Sequence, residues 1–149
     1  MKPYIKQERQ SGMNDMQVSL DTNVWIFGLI GVDRFCEKIL FNIDKFDVII
    51  PDQVRAELER NLSDYDMKQF YQFVLRFDVQ IDFAKVPSSY ILMFEEKGLK
   101  KGDAEIGAFC EWRKIDIIVS DNRDFLRGLS PEHYFQVMSP MQFCDTFEL

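Results

Sequence analysis

Short apolar runs that stop at a polar turn and then give way to helical spacing constrain this chain most. Gln17-Val18-Ser19-Leu20 ends at Asp21, Asp47-Val48-Ile49-Ile50 ends at Pro51, and Asp116-Ile117-Ile118-Val119 ends at Ser120-Asp121. Each run has the length of a buried strand, and apolar residues spaced three and four apart follow or precede it. Between Asn23 and Leu40 these are Ile26, Phe27, Ile30, Phe35, Ile39 and Leu40, which predicts one helix interrupted by Gly28 and Gly31. Pro51 suits the first turn of a helix through Arg60, with Val54 and Leu58 inward and Glu57 beside them. A helix from Ser63 to Phe77 and another from Val86 to Lys97, ending at Gly98, are expected to pair as a hairpin. Gly102-Asp103 opens a further helix, Tyr134-Phe135-Gln136-Val137 reads as a last short strand, and Ser139-Pro140 begins a terminal helix. Strands that alternate with helices imply an α/β fold with a mostly parallel sheet covered on both faces. Such sheets bind ligands beyond the carboxyl ends of their strands, where Asp21 and Asp121 lie.

The 149 residues are the length of one domain. Residues 1–16, polar and without periodicity, read as a flexible extension, and 17–149 as the domain proper. No apolar stretch approaches the roughly 18 residues of a membrane span, and the N-terminus has no apolar core of an export signal. Cys36, Cys110 and Cys144 are odd in number, far apart and set among apolar residues, which suits reduced core thiols in a cytoplasmic protein. With His133 they make four zinc-type ligands, but without CxxC or HxxxH spacing. His133 and Trp25 read as structural.

Four carboxylates occupy places that a fold could bring together: Asp21 after the first strand, Glu57 on the helix after the second, Asp103 in a first helical turn, and Asp121 after a strand. Together they would offer hard oxygen ligands of the kind that Mg²⁺ and Mn²⁺ take. Singly, each also has an ordinary explanation. Asp103 suits a helix N-terminus, and Glu57, flanked by Arg55 and Glu59, suits a helix surface. The net charge of −7 opposes generic nucleic-acid binding, which depends on Lys and Arg, unless bound divalent ions reverse the local sign or a basic partner covers the acidic face.

At these four segments the sequence resembles the PIN-domain nucleases, a family that includes the toxin ribonucleases of type II toxin-antitoxin pairs and RNA-processing endonucleases. The resemblance is carried by Asp21-Thr22-Asn23, by Glu57, by Asp103-Ala104 and by Ser120-Asp121, with Phe125 and Ser139-Pro140 in support, and it spans Gln17 to Phe147. It implies a PIN-like three-layer α/β/α sandwich with a helical hairpin insertion. It also implies a pocket in which Asp21, Glu57, Asp103 and Asp121 act as catalytic metal ligands for Mg²⁺ or Mn²⁺. Asn122 or Asp124 could instead supply the fourth ligand, since the position of the last acid varies in the family. Thr22, Asn23 and Ser120 would orient ligands or water, although turn and cap chemistry also accounts for such residues. Arg123, Arg127 and Lys101 could meet RNA phosphates, or belong to solvated loops. The implied activity is hydrolysis of RNA, with a basic antitoxin and a homodimeric state as implied partners. The competing class is a catalytically silent PIN-like module that binds protein or RNA. Phosphatase chemistry through Asp21 would want a second Asp where Asn23 stands.

Overall fold

The computed structural model describes residues 16–122 and 133–149. Among them, five parallel strands form one sheet in the order β3-β2-β1-β4-β5: β1 (Gln17–Leu20), β2 (Asp47–Pro51), β3 (Gln80–Asp82), β4 (Ile117–Val119) and β5 (Gln136–Met138). β1 is central, with Val18 paired to Val48 of β2 on one side and to Ile117 of β4 on the other. β1, β2 and β4 are almost wholly buried, which is why β2 and β4 carry unbroken apolar runs; the one polar side chain buried within β1, Ser19, is satisfied by donating its hydroxyl to the Ile49 carbonyl at 2.7 Å.

The helices are α1 (Thr22–Leu29), α2 (Arg34–Phe41), α3 (Asp52–Asn61), α4 (Asp64–Arg76), α5 (Ser88–Glu96), α6 (Lys101–Trp112) and α7 (Pro140–Phe147). α1 packs with α2, α3 and α4, and α2 with α7, while α5 packs with α6. α3 also packs on α6, so the helices and the parallel sheet make one α/β fold around a single apolar core. Its largest buried side chain is Trp25 of α1, whose ring meets Phe70 and Phe73 of α4 edge-on at 5.2 and 5.9 Å. No helix of the described residues is long and apolar enough to cross a membrane. Cys36, Cys110 and Cys144 are free and buried, and burial raises all three thiols, Cys36 to about 12.

Two features differ from the sequence expectation. The helix expected over 23–40 is two helices. At Gly31 the chain takes φ +73°, the Val32 N–H returns to the Phe27 carbonyl at 3.1 Å, and Asp33 then caps α2 by accepting from the Phe35 and Cys36 N–H groups. This is a stop signal followed at once by a start signal. The second difference is that α5 does not fold back on α4. β3 intervenes, pairs with β2 through Ile50 and Ile81, and carries the chain across to α6.

The terminal helix begins as expected. The Ser139 hydroxyl accepts from the Gln142 N–H, and the Gln142 side chain accepts from the Ser139 N–H. Ser139→Ala should therefore cost about 1 kcal/mol in urea unfolding, the usual worth of a helix N-cap. An unchanged midpoint would mean that packing of Phe143 alone holds α7.

Candidate active site at the sheet mouth

The sheet order reverses direction at β1, since the chain goes first to β2 on one side and later to β4 on the other. The ends of β1 and β4 therefore flank the crevice where parallel sheets bind ligands. Asp21 sits there as the last residue tied to the sheet and the cap of α1. Its N–H donates to the Val119 carbonyl at 2.8 Å, and its own carbonyl accepts from Val24 at 3.0 Å. Asp21 is only 7% exposed, yet both carboxylate oxygens are bonded: Oδ1 accepts from the Thr22 N–H at 2.8 Å and Oδ2 from the Ser120 hydroxyl at 2.7 Å. A contact across 99 residues thus fixes an acid at the switch point.

Glu57 reaches the same place from α3. The Thr22 hydroxyl donates to its Oε1 at 3.1 Å, and the Gln53 amide, one helical turn earlier, donates to its Oε2 at 2.9 Å. The start of α6 comes close because residue 102 is glycine, where a Cβ would stand 3.2 Å from Glu57 Oε2. Asp103 follows in the first turn of α6, and its Oδ2 accepts from the Asn122 side-chain amide at 3.0 Å. Asn122 also donates its N–H to the Ser120 hydroxyl at 3.1 Å, which links Asp103 to Asp21 through two polar residues.

Asp21 feels the other two acids. Burial, above all, pushes its carboxyl up to about 6 from 3.8; the Ser120 and Thr22 hydrogen bonds oppose that shift, and the charges of Asp103 and Glu57 add to it. A desolvated acid beside two more is an arrangement that a cation relieves. The donors are all oxygens, which suits Mg²⁺ or Mn²⁺ rather than a soft metal. Among the described residues, no three acids stand close enough to form a ready-made metal cage. The side-chain hydrogen bonds hold the carboxylates near one another without closing such a cage.

Asp121 is placed differently from the other three. It is exposed, and partial desolvation and the charge of Asp33, the α2 cap, raise its carboxyl. Asp33 and Asp121 both also act on Cys36, which puts Asp121 on the α2 side of the mouth. Asn122, the alternative named from sequence, is the neighbour that bonds Asp103. Asp124, Arg123, Arg127 and Phe125, like residues 1–15, lie outside the described residues. Thr22 and Ser120 are both buried and bonded to acids, whereas Asn23 is exposed in the first turn of α1 and makes none of the hydrogen bonds described above. Lys101 is exposed at the start of α6, two residues before Asp103. Sequence reasoning missed Gln53; its one signal was its position four residues before Glu57 on the same helix.

A family model described as PIN domain matches residues 18–128. A search of curated protein sequences finds no match. Among solved structures, the fold is similar to VapBC2 from Rickettsia felis, a complex bound to a DNA fragment from its promoter, at TM-score 0.62 and 19% identity. That alignment covers 82% of this chain and 98% of the other. It is also similar to PAE2754 from Pyrobaculum aerophilum, at TM-score 0.57 and 13% identity over 92% and 98% of the two chains.

Proposed function

The chain belongs to the PIN-domain family, and from that premise we propose that it is a divalent-metal-dependent endoribonuclease whose centre is built on Asp21, Glu57 and Asp103. The observation that carries this reading is the hydrogen-bond network through Thr22, Ser120 and Asn122 that ties three acids from three distant segments together at the sheet mouth, one of them buried. When bound, a divalent ion would supply Lewis-acid chemistry, lowering the pKa of water and offsetting charge on phosphoryl oxygens. The chain's own part is positional. Ser120 and the Thr22 N–H fix both Asp21 oxygens, Thr22 and Gln53 fix both Glu57 oxygens, and Asn122 fixes Asp103. Such outer hydrogen bonds aim ligands and are worth about 10–100-fold in metal affinity or activity. Ser120→Ala, which frees Asp21 Oδ2, should accordingly weaken Mn²⁺ binding by titration calorimetry about 10-fold. Asp121 or Asp124 would complete the acidic set.

The net charge of −7 gives a basic protein an electrostatic reason to bind. With the likeness to the VapBC2 complex, this supports a toxin role with a basic antitoxin partner; a homodimeric state rests on the family resemblance alone. The position of Asp121, which answers to Asp33 on the α2 side, favours a second reading, a silent module that binds RNA or protein without cutting it. The deciding experiment incubates purified protein with a mixed end-labelled RNA pool, in Mn²⁺ and in EDTA. Cutting in Mn²⁺ alone is the expected result, and intact RNA in both conditions would leave the silent module standing.

A further inference from the structure

A cavity of about 300 Å³ opens beside the acids, where the ends of β2 and β3 face α5 and α6. Apolar Phe109 and Ile91 line it together with Gln53, Lys85, Glu105 and Asp52, the last already paired with Arg55. We propose that this cavity receives an unpaired guanine base of the RNA strand whose phosphodiester lies at Asp21, Glu57 and Asp103; the identity of the ligand rests on the ribonuclease reading.

Size limits the occupant first. A volume of about 300 Å³ is at the lower end of pockets that hold small organic ligands, so it takes a single ring system rather than a length of chain. Position comes second. Gln53 lines the cavity and donates to Glu57 Oε2 at 2.9 Å, so an occupant sits one side chain away from the acids. A strand that crosses the sheet mouth can therefore place a phosphate at the acids and an adjoining base here.

Chemistry selects the base. Neither Lys85 nor Glu105 is committed to an ion pair or hydrogen bond with another described residue, so both are available to a ligand. Lys85 can donate to guanine O6 or N7, and Glu105 can accept from N1–H and the N2 amino group. Uracil has a single N–H on its pairing edge between two carbonyls and would leave the carboxylate poorly matched. The rim adds a stacking surface. Phe83, just before the cavity residue Ala84, is 49% exposed, and the Arg55 guanidinium lies over its ring at 5.5 Å. Asp52 and Glu59 pin Arg55 at 2.7 and 3.0 Å, which keeps that aromatic and cation pair in place for a neighbouring base.

The test is fluorescence anisotropy with two labelled tetranucleotides in EDTA, one all uridine and one with a single internal guanosine, so that no cutting is needed. The guanosine oligonucleotide should bind about 10-fold more tightly, a typical worth of one good bidentate base contact. That ratio should fall to near 1 in Lys85→Ala/Glu105→Gln, and Lys85→Ala alone, a change at an exposed side chain, should lower it part of the way. Equal affinities in the wild type, or a ratio that survives in both variants, would overturn the assignment. Mn²⁺-dependent cutting with no guanosine preference would remove the base site and keep the nuclease. A guanosine preference without cutting would keep the site and remove the nuclease.

Discussion

Asp103→Asn is expected to lower Mn²⁺-dependent RNA cleavage about 10³-fold, the consequence of losing several kcal/mol of charge stabilisation at about 1.4 kcal/mol per factor of ten. The substitution keeps the side-chain shape and removes only the charge. The amide that replaces the carboxylate can still accept from the Asn122 side chain through its remaining oxygen, so the 3.0 Å contact survives. A charge in the first turn of α6 is worth about 0.3–1 kcal/mol to the helix. Its loss is offset in part, because Asp103 is one of the charges that make Asp21 costly to ionise. The fold should therefore stay intact while cleavage disappears. Single-turnover cleavage of a labelled RNA, with a thermal melt of the same sample, reads both quantities. A variant that cuts within about threefold of the wild type would falsify Asp103 as part of the centre.

The segments that matter are legible in the sequence because each carries its own local chemistry. Asp21 follows a buried strand and caps a helix, and Asp103 opens one, so a linear reading finds both. What stays hidden depends on distance or on a single turn. β3 is three residues long, half-buried and mixed in character, and only its pairing with β2 makes it a strand. Its existence decides that α5 meets α6, which no periodicity reveals. Asp121 and Asn122 are adjacent, and which of them turns towards Asp103 is settled by the backbone after β4 through the Asn122 N–H bond to Ser120. The cap residue Asp33, whose charge acts on Asp121, belongs to the break at Gly31 that the apolar spacing alone runs across.

The metal-free protein should lose stability as pH rises from about 4 to about 6, and Asp21 is the reason. Its carboxyl titrates near 3.8 in an unfolded chain and near 6 in the folded one. Over that window the unfolded chain gives up a proton that the folded chain keeps, so the folded state is favoured below the window and penalised above it. A gap of about 2 in pKa, at about 1.4 kcal/mol for each, amounts to about 3 kcal/mol, an order-of-magnitude cost carried at pH 7. For a domain of this size that corresponds to roughly 6–12 °C of melting temperature. Other carboxylates titrate in the same range, so the comparison that isolates Asp21 is with Asp21→Asn. In the variant, the amide oxygen can take the Thr22 N–H, and the amide can donate to a rotated Ser120 hydroxyl, which leaves no charge to bury. In EDTA, the variant should melt above the wild type at pH 7 and near it at pH 4. Mn²⁺ should reverse the order at pH 7, because it stabilises only the protein with the full set of carboxylates, and the gain should fade below about pH 6 as Asp21 takes up its proton. If wild type and variant melt together at pH 7 in EDTA, the burial of an ionised Asp21 is not what the fold sustains. If Mn²⁺ then raises both alike, the ion binds elsewhere.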